Sequence, residues 1–215
     1  MSTPLELPAF YPILDTGFLD RRGVRAVDAA EAILEGGARI LQFRHKSFFS
    51  RDTFDDARAI AGLCAQAGAL FVLNDRADMA MLLGSALHLG QEDLPPADAR
   101  AIMPGGRIIG YSTHNQNQLR EADREPVDYI AIGPVFQTGS KRNPDPVLGV
   151  DALSRLRGLT RKPLVAIGGI TRATAPAVWK AGLDSVAVIS DLIPDDGSKE
   201  TLRARTEEWL QLQKK

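Results

Sequence analysis

Apolar runs and helix-like stretches alternate along the whole chain of 215 residues. Eight runs have the length of a β-strand, and each is followed by a segment with helical features. Most of the runs are apolar at nearly every position, which is typical of parallel strands buried on both faces. Strand–helix alternation of this kind predicts parallel strands joined by right-handed crossovers, so the fold class is α/β. The predicted strands span residues 10–15, 40–44, 70–74, 86–89, 108–112, 129–135, 163–167 and 185–189.

The segments between these runs carry helix signals. In the second of them, Asp52 or Thr53 can cap the N-terminus with a side-chain oxygen. Its apolar residues recur at steps of three and four, and Gly68 supplies the stop. Similar signals predict helices over residues 24–35, 53–67, 77–83, 97–103, 116–122, 150–159, 173–181 and 199–212.

Eight such units favour a closed (β/α)₈ barrel, the TIM barrel, over an open sheet. A doubly wound sheet is the alternative, but it usually shows a glycine-rich fingerprint after its first strand. The segment Thr16–Asp20 has no such fingerprint. We therefore predict a single TIM-barrel domain over residues 1–215, with the barrel core at about 9–190 and a C-terminal helix at about 199–212.

The composition limits the kinds of binding partner and the cellular compartment expected for the protein. The formal net charge of −1 gives no bulk field that would recruit nucleic acid or a membrane, so any anion must be bound by local charges. Cys64 is the only cysteine, which excludes an internal disulfide, and the N-terminus lacks the pattern of a signal peptide. We expect a cytoplasmic protein that acts on small molecules; a homo-oligomer is compatible with the sequence.

Polar motifs follow the predicted strands, at the end of a barrel where active sites lie. Gln42, Arg44 and Lys46 alternate at the end of the second strand, so they share one face and point into the barrel mouth. Two cations on an inward face suit an anion. The planar guanidinium of Arg44 beside the compact ammonium group of Lys46 suits a diphosphate. The alternative is that both cations pair with acids elsewhere on the rim.

Two aspartates follow the next two strands. Asp75, in the dipeptide Asn74-Asp75, ends the third strand, and Asp93 follows the fourth. Aspartates in such places often cap the following helix. Beside the cations, however, two carboxylates at adjacent strand ends favour a Mg²⁺ site, because Mg²⁺ takes one or two carboxylates together with phosphate oxygens and waters.

The histidines and hydroxyls near the mouth allow several interpretations. We expect His88, within the fourth strand, to be a core histidine with its polar atoms satisfied. His114 has three possible roles: a base, a helix cap, or a donor to a backbone carbonyl. Ser112 has no partners arranged as in a Ser-His-Asp triad, so a nucleophilic serine is not expected.

Further loops predict phosphate binding. The string Thr138-Gly139-Ser140-Lys141 combines hydroxyls, a glycine and a cation after the sixth strand. The loops after the seventh and eighth strands, which often build phosphate sites in such barrels, carry Gly168-Gly169 and Ser190. Phosphate sites on both sides of one mouth indicate two phosphorylated reactants.

Taken in order, these motifs resemble one known family. The series Gln-x-Arg-x-Lys, Asn-Asp-Arg, His-Leu-Gly-Gln-Glu-Asp, Ser-Thr-His, Gly-Pro-Val-Phe-x-Thr-x-Ser-Lys, Ala-Ile-Gly-Gly-Ile and Ala-Val-Ile-Ser, from Gln42 to Ser190, is similar to that of thiamine phosphate synthase. The resemblance implies a (β/α)₈ barrel in which the nitrogen of 4-methyl-5-(2-phosphoethyl)thiazole displaces diphosphate from 4-amino-5-hydroxymethyl-2-methylpyrimidine diphosphate, which yields thiamine phosphate.

The resemblance also implies roles for individual residues. Asp75 and Asp93 are expected to carry Mg²⁺. The residues expected to act in catalysis are Arg44, Lys46, Ser112 and Lys141. The pyrimidine diphosphate is expected to contact Gln42, Phe43, Arg44, His45, Lys46, Asn74, Ser112 and Lys141. The thiazole phosphate is expected to contact Thr138, Gly139, Ser140, Gly168, Gly169, Ile189 and Ser190.

Two alternative functions remain open, and one position differs from the usual pattern of the family. A related thiazole tautomerase shares the Ser-x-His and Gly-Gly motifs but usually lacks the full set of cations and metal ligands, and a silent phosphate-binding barrel is a third reading. Asp191 follows Ser190 where a small residue is common, and we predict that its side chain turns away from the mouth.

Overall fold

The computed structural model describes residues 5–103, 105–139 and 145–212. Its eight parallel strands close into a barrel, because β1 pairs with both β2 and β8. The TIM-barrel prediction is therefore confirmed and the open-sheet alternative is wrong. The strands are β1 Phe10–Asp15, β2 Ile40–Arg44, β3 Leu70–Asn74, β4 Ala86–Leu89, β5 Ile109–Thr113, β6 Tyr129–Ile132, β7 Leu164–Ile167 and β8 Ser185–Val188.

The helices surround the barrel between successive strands. None of those in the described residues combines the length and the apolar character needed to cross a bilayer. Their bounds are α1 Thr16–Asp20, α2 Ala26–Glu35, α3 Arg51–Ala67, α4 Ala77–Leu83, α5 Pro96–Ile102, α6 Gln116–Arg124, α7 Val150–Arg157, α8 Ala175–Lys180 and α9 Lys199–Leu212.

Three local features differ from the sequence prediction. The short helix α1 was not predicted, since five residues are too few to show a periodicity; the side chain of Asp15 caps it by accepting from the backbone N–H of Phe18. Helix α3 begins two residues early because Ser50 is its cap, so the predicted caps at Asp52 and Thr53 are wrong. Strand β6 ends at Ile132 rather than at residue 135, next to Pro134, which has no N–H to donate.

Alternation along the strands produces two apolar cores. One lies between the strands and the helices, where Trp209 of α9 stacks on Phe10 of β1 with ring centroids 5.2 Å apart. The other fills the barrel interior and consists of Tyr11, Ile13, Ile40, Val72, Ala86, Tyr129, Ala131, Val165 and Ala187. On β2 to β5 the inward positions nearest the carboxyl ends are polar, whereas Ile167 and Ile189 after β7 and β8 pack against this inner core. The candidate site therefore lies directly above the inner core.

One glycine makes room for the largest ring of the inner core. A Cβ built on Gly110 of β5 would lie 2.0 Å from Cζ of Tyr129. Glycine inside a strand often marks such a close approach. The ring of Tyr129 therefore lies across β5, and its hydroxyl reaches the centre of the barrel.

We expect Gly110→Ala to lower the free energy of unfolding by about 3 kcal/mol, because overpacking a dense core costs about 1 to 3 kcal/mol or more. Gly62, inside α3, is the matched control, since a Cβ there meets nothing within 4 Å. Gly62→Ala should instead stabilise the protein by up to about 1 kcal/mol through helix propensity. Chemical denaturation of both variants tests this, and equal effects would contradict the packing argument.

Candidate active site

The end of β2 places two cations at the mouth of the barrel. Gln42 points inward, since its Nε2 donates to the hydroxyl of Tyr11 at 2.9 Å. Arg44, on the same face, donates from Nη1 to Asp15 at the end of β1, and Lys46 Nζ lies 2.5 Å from Asp75 Oδ2 at the end of β3. Both cations thus form ion pairs with acids on the rim, as the alternative interpretation of the sequence expected. A guanidinium has five N–H donors, so the Asp15 contact leaves Arg44 with further binding capacity.

The two residues on either side of Arg44 face elsewhere. Phe43 is buried in the core between strands and helices, so its side chain does not line the mouth. The ring of His45 lies 2.8 Å from the Thr16 hydroxyl through Nδ1 and 3.1 Å from the carbonyl oxygen of Phe48 through Nε2. What Phe43 contributes to the mouth must come from its backbone, and both ring nitrogens of His45 already contact protein oxygens.

The two aspartates predicted as metal ligands do not cap the helices that follow them. Helix α4 has Arg76 at its cap position and α5 has Pro95, and neither helix has a side-chain cap. Asp75 itself has a φ of 66°, a left-handed conformation that Asp and Asn tolerate better than most residues. The capping alternative is therefore wrong for both aspartates, and a strained backbone holds Asp75 at the mouth.

The electrostatics of this carboxyl pair suit a cation. Burial raises the pKa of Asp75 to about 6, hydrogen bonding with the carboxyl group of Asp93 adds to the rise, and Lys46 acts in the opposite direction. Two carboxyl groups that face each other away from water are stabilised by a cation between them. No group of three His, Cys, Asp or Glu side chains that could hold a metal occurs in the described residues. Mg²⁺ at Asp75 and Asp93 would therefore take its other ligands from substrate and water, which Mg²⁺ commonly does.

The raised pKa of Asp75 predicts a dependence of stability on pH. The folded protein holds this proton more tightly than the unfolded chain, so the free energy of unfolding falls as pH rises from about 4 to about 6. Asp75→Asn lacks that titration and keeps the left-handed backbone conformation. Without divalent cations, we expect the variant to melt higher than the parent at about pH 8 and no higher at about pH 4.

Asp78→Asn is the control for this experiment. Hydrogen bonds from Arg76 lower the pKa of Asp78, so its ionised form is preferred by the folded state. Its removal should destabilise the protein at about pH 8, the opposite sign from Asp75→Asn. A melting-temperature difference for Asp75→Asn that is the same at both pH values would contradict the prediction.

Asn74 has an unpaired donor beside the carboxyl pair. The residue is 6% exposed, and its Nδ2 has no hydrogen-bond partner among the residues that the structure describes. Buried polar groups are paired in the great majority of native structures, and each exception needs an explanation. An acceptor on a bound ligand would supply the missing partner, which fits the predicted contact of Asn74 with the pyrimidine diphosphate.

Ser112, at the end of β5, is held from below by a histidine. His88 Nε2 lies 2.8 Å from Ser112 Oγ, and His88 Nδ1 lies 2.9 Å from the hydroxyl of Tyr129. Burial lowers the pKa of His88 to about 4, so the ring is neutral near pH 7. The prediction that His88 is a core histidine with satisfied nitrogens is confirmed.

His114 takes one of the roles that the sequence left open. Its Nδ1 lies 2.8 Å from the carbonyl oxygen of Gly133 and 3.4 Å from Asp145 Oδ2. The cap of α6 is Asn115, whose side chain accepts from the backbone N–H of Gln118. The backbone contact is therefore observed, and the helix-cap role is wrong.

The loops predicted to bind phosphate are only partly described. Ser140 and Lys141, as well as residues 142–144, lie outside the described residues. Thr138 and Gly139 follow β6, and Ser190 is exposed directly after Ile189 at the end of β8. The helices that follow β7 and β8 are α8 and α9, which begin only at residues 175 and 199, so the loops at 168–169 and 190 do not lead directly into an α-helix.

Gly168 and Gly169 have a packing reason as well as the predicted binding role. Both have positive φ angles, and a Cβ on Gly168 would lie 2.6 Å from Pro134 Cα. A Cβ on Gly169 would lie 2.2 Å from the carbonyl oxygen of Gln137. The glycines therefore let the end of β7 pack closely against the segment after β6.

Other contacts at the mouth were not predicted. Asp15 resembles the other strand-end motifs in position and could have been found by that signal, whereas nothing local marks Tyr11 or Tyr129 as neighbours. Asp191 pairs with Arg172, whose Nε lies 3.0 Å from its Oδ2, so a cation neutralises the carboxylate that follows Ser190. That its side chain turns away from a bound phosphate stays a prediction.

Comparisons with known proteins agree with one another. A family model described as thiamine monophosphate synthase matches residues 10–192. A thiamine-phosphate synthase of Koribacter versatilis is 44% identical over 215 residues, which covers 99% of each chain. Its counterpart from Laribacter hongkongensis is 44% identical over 161 residues, or 74% of this chain and 76% of that protein. The solved structure of a thiamine phosphate pyrophosphorylase from Pyrococcus furiosus superposes with a TM-score of 0.81 at 33% identity and covers 94% of each chain.

Proposed function

Because the chain belongs to the thiamine monophosphate synthase family, we propose that it transfers the (4-amino-2-methylpyrimidin-5-yl)methyl group from its diphosphate to the thiazole phosphate with the help of Mg²⁺. The relatives compared above are thiamine-phosphate synthases, one of them matched over 99% of both chains, so the protein is a transferase of thiamine biosynthesis. The metal, the mechanism and the residue roles described below belong to the proposal.

The observation that carries the proposal is the carboxyl pair of Asp75 and Asp93 beside Lys46, on the same rim as Arg44. A site that bound only an anion would need only cationic side chains, and a site that bound only a cation would need only carboxylates. A diphosphate with a divalent cation needs both, because the cation takes carboxylate ligands and the phosphate oxygens take Arg and Lys. Asn74, whose Nδ2 is unpaired among the described residues, directly precedes Asp75 and supports a bound acceptor at this end of β3.

The proposed reaction is a dissociative substitution in which diphosphate leaves before the thiazole nitrogen attacks. Negative charge grows on the leaving oxygens, and positive groups already in place at that point stabilise it. Arg44 and Lys46 are proposed to do this, and Lys141, outside the described residues, is assigned the same role. Mg²⁺ bound by Asp75 and Asp93 would supply further neutralisation of the diphosphate oxygens.

The second substrate needs orientation rather than activation. Thiazole nitrogen has a free lone pair, so no general base is required. This agrees with the contacts of His88, which binds protein groups through both ring nitrogens, and of His114, whose Nδ1 contacts the carbonyl oxygen of Gly133. The loops at 138–140, 168–169 and 189–190 are proposed to hold the phosphate, so that the nucleophile lies in line with the departing diphosphate.

Release of diphosphate from the purified protein tests the proposal. Both substrates are supplied, first with Mg²⁺ and then with EDTA, and each substrate is also omitted in turn. We expect diphosphate and thiamine phosphate in equal amounts, only with the metal and only with both substrates. Folded protein that releases nothing under any condition would reject the proposed reaction and favour the tautomerase or a silent phosphate-binding barrel.

A further inference from the structure

Five polar side chains from five strands form one continuous chain of hydrogen bonds across the barrel interior. Gln42 Nε2 donates to the Tyr11 hydroxyl at 2.9 Å, and the hydroxyls of Tyr11 and Tyr129 lie 2.8 Å apart. The chain continues from the Tyr129 hydroxyl to His88 Nδ1 at 2.9 Å and from His88 Nε2 to Ser112 Oγ at 2.8 Å. Ser112, at one end, is half-buried below the mouth, whereas Gln42 at the other end is buried, as are the three residues between them.

The donor at one end favours one direction for every bond in the chain. A tyrosine hydroxyl has one proton and two lone pairs, so Tyr11 could accept a second bond beside the one from Gln42; its own proton is paired, however, when it donates to Tyr129. Tyr129 in turn gives its own proton to His88 Nδ1. A neutral imidazole that accepts at Nδ1 carries its proton on Nε2, which then donates to Ser112 Oγ. The hydroxyl proton of Ser112 is left to point into the mouth.

We propose that Tyr11, Tyr129 and His88 are positioning residues that hold the His88 ring in its Nε2–H tautomer and thereby make the Ser112 hydroxyl a hydrogen-bond donor to the bound pyrimidine diphosphate. The inference rests on the proposed function, in which Ser112 contacts that substrate. If every hydrogen bond in this series had the opposite direction, Ser112 would donate its proton to His88, and its hydroxyl could only accept a hydrogen bond from the substrate.

The surroundings keep this arrangement rigid and uncharged. Burial raises the pKa of both Tyr11 and Tyr129 far above the ordinary range, so each keeps its single proton. The rings of His88 and Tyr129 stack with centroids 5.5 Å apart, and Gly110 leaves the space in which the Tyr129 ring lies. A buried polar group without a hydrogen bond costs much free energy, so the one orientation that pairs every group is favoured over a mixture of orientations.

The first test is the tautomer of His88, which needs no substrate. In ¹⁵N-histidine-labelled protein, the His88 signals are identified by their loss in His88→Gln. We expect an unprotonated Nδ1 and a protonated Nε2 in the parent, and a shift of both signals towards a tautomer mixture in Tyr129→Phe. A parent with its proton on Nδ1, or an unchanged tautomer in Tyr129→Phe, would overturn the proposal.

The second test is kinetic and separates positioning from packing. Tyr129→Phe should lower kcat/KM for the pyrimidine diphosphate about three- to tenfold, the effect of one neutral hydrogen bond. In a Ser112→Ala background, Tyr129→Phe should not lower kcat/KM any further, because the series of hydrogen bonds acts through the Ser112 hydroxyl. Tyr11→Phe, which removes a neighbouring buried hydroxyl, should have a smaller effect, since Tyr129 can still donate to His88. Losses that simply multiply in the double variant, or equal losses for the two tyrosines, would indicate packing alone and overturn the proposal.

The two tests distinguish failure of the inference from failure of the proposed function. A protein that releases no diphosphate rejects the synthase reaction and with it the role of Ser112 towards that substrate. Activity that survives while His88 carries its proton on Nδ1 rejects the positioning chain and leaves the synthase in place.

Discussion

Asp75→Asn is expected to lower kcat/KM for diphosphate release by at least about a hundredfold at limiting Mg²⁺. Changes in groups that merely orient a metal ligand cost about 10- to 100-fold in metal affinity or activity, and the loss of a direct carboxylate ligand should cost no less. Asparagine keeps the backbone conformation at φ 66°, so the effect reports the charge rather than strain. Initial rates over a series of Mg²⁺ concentrations measure it, and excess Mg²⁺ should recover part of the rate.

The control for this prediction is Asp78→Asn. Asp78 lies on α4 close to the mouth, is more exposed than Asp75, and pairs with Arg76, so the charge change is the same but the position is different. We expect its Mg²⁺ dependence to match that of the parent. An Asp75→Asn enzyme whose Mg²⁺ titration is also unchanged would show that Asp75 is not a metal ligand.

Arg44→Ala is expected to lower kcat/KM by about 10²- to 10³-fold, the usual effect of removing one donor from a site of developing negative charge. Arg44 is 18% exposed in its side chain, so water replaces it poorly. Arg44→Lys keeps the charge but not the planar fork, and we expect it to restore only part of the rate. Steady-state rates with the pyrimidine diphosphate varied at saturating thiazole phosphate measure both variants.

Loss of the Asp15 partner must be separated from loss of the substrate contact. Arg44→Ala leaves the carboxylate of Asp15 partly buried without its cation, which also destabilises the fold. Denaturation of the variant at the assay temperature shows whether it remains folded. Arg58→Ala, on the outer face of α3 where Arg58 pairs with Asp55, is the matched control and should keep the parent rate. A folded Arg44→Ala protein with the parent rate would remove Arg44 from the site.

Local pattern was sufficient to predict the barrel and to assign the polar motifs to one of its ends. Gln42 and Arg44 could be assigned to one inward face because side chains alternate along any strand, whatever lies around it. Asp75 and Asp93 could be assigned to the same rim, since parallel strands end on the same side of a closed sheet. The short helix α1 and the Ser50 cap were missed because a single side-chain contact decides each of them.

Contacts across the barrel could not be predicted in this way. Tyr11 and Tyr129 are 118 residues apart, and their hydroxyls meet only because barrel closure and strand register bring β1 and β6 to face each other. Gly110 gives no local sign that it leaves room for a ring from the neighbouring strand. The partners of the cations, Asp15 for Arg44 and Asp75 for Lys46, likewise depend on which strands are adjacent.

The sequence alone thus determined the alternation of strands and helices, the closed barrel as the favoured arrangement, and the set of polar groups at its mouth. These follow from periodicity and from the order of motifs, which are properties of short segments. Only the tertiary structure decided which of those groups touch, how far burial raises the pKa of Asp75, and how Gln42 is linked to Ser112. Distances and burial depend on strands far apart in the chain, so they exist only once the barrel has closed.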